Sequence, residues 1–404
     1  MDPVVLAIPV FFLLIGAELL WDHFHHKGSE NRVYRLGDAL ANISCGIIDQ
    51  VTGVFAKVVT VGAYVLVFTW AQSWLSISIP SNWLWYVICF VSVDFSYYWS
   101  HRISHQVNLF WVGHVVHHQS EDYNLSVALR QGAFQKMLLF WIYLPLAFLG
   151  FPPEWFLLSI AFNLLYQFWI HTEVVKKMGA FEWVFNTPSH HRVHHGRNPK
   201  YIDKNHGGVL IIWDRMFGTF QKEEEAPTYG ITRPTGTFNP VWAHVQPFAR
   251  LFNDVRSIPG FPDKVRFLFH KPGWYPANLG GPQVAAPIEE QPPKYFAKPS
   301  KWASIYSIVQ YIFMLTITAF YLFNLKTFGR LENVMLTFFI LAFVLNIGFI
   351  IDHGRRYIQL EWLRAILVAG FAYWFWEDSI FLGIAFAANC VISFVALFSR
   401  SKFA

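Results

Sequence analysis

The chain has 404 residues, of which 54% are hydrophobic and only 14% charged, where a soluble globular protein carries roughly 25% charged residues. With 41 Phe and 18 Trp, that balance excludes an ordinary soluble enzyme and describes an all-α, polytopic integral membrane bundle. A net charge of +5 with no basic run excludes a nucleic-acid partner, and three distant cysteines in apolar stretches (Cys45, Cys89, Cys390) exclude a disulfide framework or a thiolate metal site.

Apolar segments of about 17–25 residues, long enough to cross a bilayer, are predicted at 4–21, 46–72, 83–100, 134–150 and 154–171. The first has neither a basic flank nor a small-residue cleavage site, so it reads as a retained span and not a signal peptide. A polar and aromatic stretch occupies 172–300, and further apolar segments follow near 303–325, 333–351, 363–376 and 379–398. The last two are short, and one is a candidate interfacial piece. The count is seven to nine. Charge favours nine: with the N-terminus outside, the loops 22–38, 101–133, 172–300 and 352–362 and the C-terminal tail carry nearly every Lys and Arg on the cytoplasmic face. Only Lys326 and Arg330 fall on the other side, while Lys57 lies within a span. A catalytic membrane-embedded part over 1–237, a Pro- and Gly-rich interfacial linker over 238–302 and C-terminal transmembrane helices over 303–404 follow from this layout. A bacterial inner membrane and an endoplasmic reticulum membrane both suit it. The oligomeric state is not readable.

Histidines stand out in this apolar context. The segment His101–Ser120 holds five in twenty residues: His101 and His105 as HxxxH, then His114, His117 and His118 as HxxHH. His171 ends the fifth apolar segment, and His191, His194 and His195 form a second HxxHH preceded by His190. Residues three and four apart share a helical face, so each cluster presents two or three imidazoles in one direction. Asp94, seven residues before His101, lies on that same face and is placed to accept a ring N–H and orient a ligand. Ten imidazoles exceed what one ion binds, whereas two ions at five or six ligands each would use them. An all-nitrogen, thiolate-free donor set suits iron with positions left open for O2. His23, His25, His26, His244, His270 and His353 stand outside the clusters and read as ordinary core or surface residues. A pH-sensing patch or a metal-transport relay is the competing use of such clusters. A bis-histidine haem or a transporter would want its ligands at the membrane midplane, which here is almost wholly apolar.

The order HxxxH, HxxHH, lone His, HxxHH, threaded between apolar spans, resembles the membrane fatty acid hydroxylase and sterol desaturase superfamily. The blocks Ser120–Gln131 (SEDYNLSVALRQ), Phe162–Val174, Asn186–Asn198 (NTPSHHRVHHGRN) and Asp203–Phe220 (DKNHGGVLIIWDRMFGTF) are similar to its ether-lipid-cleaving branch, over roughly residues 10–280. That resemblance implies a diiron monooxygenase, dependent on tetrahydrobiopterin, that hydroxylates the carbon next to the ether oxygen of an alkylglycerol lipid. The resulting hemiacetal would fall apart into a fatty aldehyde and a free glycerol hydroxyl. It implies His101, His105, His114, His117, His118, His171, His191, His194 and His195 as metal ligands, with His190 a further candidate. Related hydroxylases carry a full HxxxH where this chain has Gln167 and His171, so Gln167 is assigned beside the metals. His206 stands where relatives carry Tyr and reads as a residue at the edge of the site, structural more than ligating. Glu121 and Tyr123, directly after the second cluster, are candidates to bond and stack a pterin. A membrane lipid, O2 and a pterin-recycling reductase are the implied partners. The alternative within the superfamily is a sterol or fatty acyl desaturase or hydroxylase fed by an external electron donor.

Overall fold

The computed structural model describes residues 3–26, 32–352, 357–376 and 379–398. His353 therefore lies outside the described residues. Those residues are helical, with no strand beyond the isolated bridges Phe185–Leu210 and Gly196–Tyr229. In chain order the helices are α1 (Pro3–His25), α2 (Leu36–Leu75), α3 (Trp83–Gln106), α4 (Asn108–His118), α5 (Gln135–Leu139), α6 (Leu144–Phe148), α7 (Pro153–Trp169), α8 (Pro188–His195), α9 (Ile212–Met216), α10 (Pro240–Ser257), α11 (Phe261–Phe269), α12 (Lys301–Phe323), α13 (Arg330–Ile351), α14 (Tyr357–Trp374) and α15 (Ile380–Phe398).

Five of these, α1, α2, α12, α13 and α15, are long and apolar enough to cross a membrane. Nine such segments were expected, and the difference has a physical cause. The segment at 83–100 is in α3, which buries a polar face of Asp94, Ser96, Tyr98, Ser100, His101, Ser104 and His105. The segment at 134–150 is broken into α5, a 3₁₀ turn at Phe140–Tyr143 and α6. The segment at 154–171 is α7, 17 residues long, with Ser159 and Asn163 buried. In α14, Glu361 and Arg364 are buried. Total apolarity does not register a polar inner face, and these helices use theirs. By contrast, α2 runs 40 residues. At 1.5 Å per residue that is roughly 60 Å, about twice a hydrocarbon core of roughly 30 Å. Its first turns are buried at Leu40, Ala41, Cys45 and Ile48, while Val58, Leu66, Trp70 and Trp74 further along are exposed, as a lipid-facing surface would be.

The chain divides into two compact units. The first comprises Met1–Asp49, Gly53–Thr235 and His244–Lys294. In it α3 packs on α4 and α7, and α1 on α7. Tyr64, Cys89, Val93, Leu146 and Trp155 form one apolar core, and Phe11, Ile15, Leu125 and Phe168 another. Glu18 of α1 is buried yet fully engaged: it accepts from the Leu125 N–H at 2.7 Å, from the Tyr34 hydroxyl at 2.5 Å and from the Thr172 hydroxyl. A buried carboxylate without such donors would be strongly destabilising, so this cluster fixes α1 to the segment beside His171.

The second unit comprises Gln50–Thr52, Gly236–Ala243 and Tyr295–Ala404. In it α12 packs on α13 and α15, and α14 on α13 and α15. Its interior holds an Arg364–Glu361 ion pair, extended by Arg364 Nη1 to Asn389 at 2.8 Å and Asn389 Nδ2 to Gln310 at 2.7 Å.

Candidate metal centre

The candidate metal-ligating side chains come from four short pieces of the first unit. His101 and His105 occupy the last turns of α3; His114, His117 and His118 lie on α4; His191, His194 and His195 lie on α8. His171 follows α7 directly. Helix α8 is only eight residues long, begins with Pro188 at its first position, where proline's missing N–H costs nothing, and is buried along its whole length.

These residues converge into two groups. One contains His101, His105, His114, His118 and His194; the other contains His117, His171, His191 and His195. All nine are buried. Within each group one nitrogen per ring lies within 4.8 Å of the others.

The hydrogen bonds fix which nitrogen faces inward. The Nδ1–H groups of His101, His117, His171 and His194 donate to the backbone carbonyls of His206 (2.8 Å), Arg130 (2.7 Å), Gln167 (2.7 Å) and Lys204 (2.9 Å). A carbonyl can only accept, so each Nδ1 carries the proton and each neutral ring turns a bare Nε2 lone pair inward. The Nε2 atoms then crowd. His101 lies 3.0 Å from His114, and His114 lies 3.1 Å from His118. His171 lies 3.3 Å from His117 and 3.0 Å from His191. Two nitrogens at about 2.1 Å from one ion stand about 3.0–3.4 Å apart for bond angles between octahedral and tetrahedral. His117 and His171 cannot hydrogen-bond each other, because both lone pairs face the same gap. A cation between them removes the repulsion.

Burial keeps these rings neutral, the form a metal binds. It pushes the His114 ring down to about 3 and the His117 ring to about 4. It also holds His191, His194 and His195 well below the usual histidine value, with neighbouring imidazoles adding to the effect.

The remaining sequence-derived residues are placed as follows. His190 joins neither group; one position before His191 it turns about 100° around the helix, and its ring meets Phe220 edge-on at 5.4 Å. Asp94 touches no ligand. Its carboxylate accepts from the backbone N–H of Val209 (2.8 Å) and Leu210 (3.1 Å), from Trp213 Nε1 (2.9 Å) and from Asn163 Nδ2 (2.6 Å). Two helical turns, about 10 Å, separate it from His101, so it acts on the 206–213 loop instead of on a ring. The Gln167 side chain bonds Tyr97 and Asn163, and only its carbonyl serves His171. His206 lies beside the first group, with ring centroids 5.0 Å from His105 and 5.6 Å from His101. Tyr123 donates to the Ile170 carbonyl at 3.0 Å and stacks on Tyr229 at 4.8 Å, next to His171. Glu121 sits 3.8 Å from Arg35 and packs behind Gly230.

Several contributors were not singled out by the sequence. Asp214 accepts from the backbone N–H of His206 and Gly207 at 2.8 and 2.7 Å and from the Thr219 hydroxyl at 2.6 Å. Its polar neighbours in DKNHGG and WDR are the only signal a sequence offers. Arg192, between two ligands, forms a bidentate pair with Glu223 at 2.7 Å and donates to the carbonyls of Thr172 and Val175. A cavity of about 450 Å³ opens beside the histidines, walled at its base by His105, His118, His194 and His195. Arg197, Arg233, Arg250 and Asp254 line it with charge, and more than half of its lining comes from residues 230–286, much of the stretch read as linker. The donor set fits a metal, and the cavity gives a second reactant access to it.

Residues 86–219, which include all nine converging histidines, match the fatty acid hydroxylase family model. The chain is 39% identical over 371 residues to the alkylglycerol monooxygenase of Xenopus tropicalis, covering 91% of this chain and 81% of the relative. It is 40% identical over 373 residues to the alkylglycerol monooxygenase of Homo sapiens, with the same coverage of both. To that of Danio rerio it is 39% identical over 370 residues, covering 90% of this chain and 80% of the relative. No solved structure matches.

Proposed function

The chain belongs to the alkylglycerol monooxygenase family, and on that premise we propose how its residues carry out an O2-dependent monooxygenation of alkylglycerol ether lipids. The two histidine groups hold two iron ions, the first through His101, His105, His114, His118 and His194, the second through His117, His171, His191 and His195. When bound, the irons supply the oxygen chemistry, with tetrahydrobiopterin as the reductant. One oxygen atom enters the C–H bond beside the ether oxygen and the other leaves as water. The hemiacetal collapses to fatty aldehyde and a free glycerol hydroxyl. The observation that carries this reading is the pairing of His117 and His171, whose inward lone pairs require an electrophile between them.

What the protein contributes is placement. Backbone carbonyls hold four rings in the ligating tautomer before any ion arrives. The cavity brings the polar end of a reactant against Arg197, Arg233, Arg250 and Asp254, within reach of His105, His118, His194 and His195. The histidines at its base are buried, which limits the water that reaches them. For the pterin we propose the Gly230 side of this cavity. There Glu121 lies directly behind the wall, while the Tyr123 ring is already covered by Tyr229 and serves to wall the second histidine group.

We also propose that residues 1–237 carry the chemistry, that the 238–302 stretch lines the approach to it, and that 303–404 anchor the protein. The active site would face the cytoplasm of an endoplasmic reticulum or bacterial inner membrane, where a pterin-recycling reductase could reach it. Membranes containing the protein, given an alkylglycerol and tetrahydrobiopterin, should release fatty aldehyde. Turnover of a sterol or acyl lipid with a protein electron donor, and none with pterin, would overturn the assignment.

A further inference from the structure

We infer that His206 is a sixth nitrogen ligand of the ion held by the first histidine group. This rests on the two-metal reading above.

The His206 ring is fully buried, with the Asp203 carbonyl beside it as a backbone acceptor and no hydrogen bond of good geometry at either nitrogen. A buried imidazole without partners is costly unless something satisfies it. The His206 centroid lies 5.0 Å from that of His105 and 5.6 Å from those of His101 and His194. The five members of the first group are spaced somewhat more closely, from 4.3 Å for His101 and His194 to 5.2 Å for His101 and His105. Facing it, His105 and His194 each carry an Nε2 with no partner. His206 thus lies at the rim of the first group, outside the five rings whose nitrogens already converge, and beside two unpartnered Nε2 atoms that a cation would draw together.

The backbone is built to hold this ring. Asn205 and Asp203 adopt φ of 55° and 57°, the left-handed region that Asn and Asp enter when their side chains are held by local hydrogen bonds. Asn205 is held there by its side chain, donating to the carbonyls of His190 and Gln221 and accepting from the Gln221 N–H. Asp214 clamps the His206 N–H, and the His206 carbonyl orients His101. Strain held by several bonds at one residue is typical of a functional position. His206 is not part of the cavity wall, so it takes a coordination position that no incoming reactant needs.

The test uses the full chain in detergent, freed of iron and loaded with cobalt(II). Six-coordinate cobalt absorbs weakly in the visible, and five-coordinate cobalt several-fold more strongly. His206→Phe keeps the ring and removes the nitrogens, so its visible absorption should rise at unchanged cobalt content of about two per chain. His206→Gly should show the same rise, reversed by added imidazole. An unchanged spectrum in both variants overturns the role of His206 while leaving two metals in place. Failure of the unsubstituted protein to bind two metals would instead overturn the reading beneath it.

Discussion

The Nε2 atoms of His117 and His171 face each other across 3.3 Å, while the Nδ1–H of each ring is already given to a backbone carbonyl. Without a cation the pair is repulsive. Of the four rings in the second group, His171 is the one that stands outside the helical histidine clusters, just after α7. His171→Ala should therefore lower the metal content from about two ions per chain to about one, because only three ligands remain there. Elemental analysis of the purified protein reads this directly. Retention of both ions would show that His171 binds none. His118→Ala and His195→Ala, one from each group, should each abolish aldehyde release while the protein still inserts.

Asp214 holds the loop whose carbonyl orients His101. In Asp214→Asn an NH2 group replaces one oxygen and faces a backbone N–H. The lost acceptor should destabilise the fold by about 1–3 kcal/mol and weaken metal binding about 10- to 100-fold. A competition titration with a chelator measures the latter. Undiminished affinity would mean that the loop is held by other contacts.

Gly132 follows Arg130, the residue that receives His117, and a Cβ on it would lie 1.9 Å from the Gly113 carbonyl oxygen. Gly132→Ala must push the loop off α4, at a cost of about 1–3 kcal/mol, and should reduce metal loading. Gly53→Ala is the control, since nothing lies within 4 Å of the added carbon. Equal thermal stability and metal content in the two variants would contradict this packing.

Acid should destabilise the metal-free protein. His114, His117, His190 and His206 are held to about 3–4 in the fold by burial, against about 6.5 when unfolded. Above that unfolded value neither state is protonated and nothing changes. Below it the unfolded chain takes up protons that the folded chain refuses, so stability falls as the pH drops from about 6.5 toward 4. Asp214 acts the other way: its carboxyl is raised to about 6, so it gains a proton in the fold first. Burial raises the carboxyls of Asp94 and Asp203 as well, and these few groups do not offset the eleven histidines that burial lowers. Thermal unfolding after chelator treatment should give a lower Tm at pH 5.5 than at pH 7.5. A flat or rising Tm would refute it.

The histidine spacing made the inner faces of α3, α4 and α8 legible, because a period of three and four residues is local. It did not reveal which ring joins which group, since His194 pairs with α3 while His191 and His195 pair with His171. That sorting depends on how separate helices pack. Asp94 was placed on the right face but assigned the wrong partner, because its reach follows from the loop at 209–213, which no periodicity announces. His190 looked equivalent to its neighbours in the string SHHRVHH, and only its angular position on α8 sets it apart. The polar wall from residues 233–254 was hidden because Pro and Gly suggest a connector whether or not it folds back on the site.

Orientation of four imidazoles by main-chain oxygens has a consequence for how this enzyme tolerates change. Replacing the side chain at 130, 167 or 204 leaves the acceptor atom in place, as long as the chain keeps its path. Drift at those positions can therefore alter what the side chains do without undoing how the ligands are aimed. Damage should instead come from residues that steer the backbone, such as Asn205, Asp214 and Gly132, none of which touches a metal.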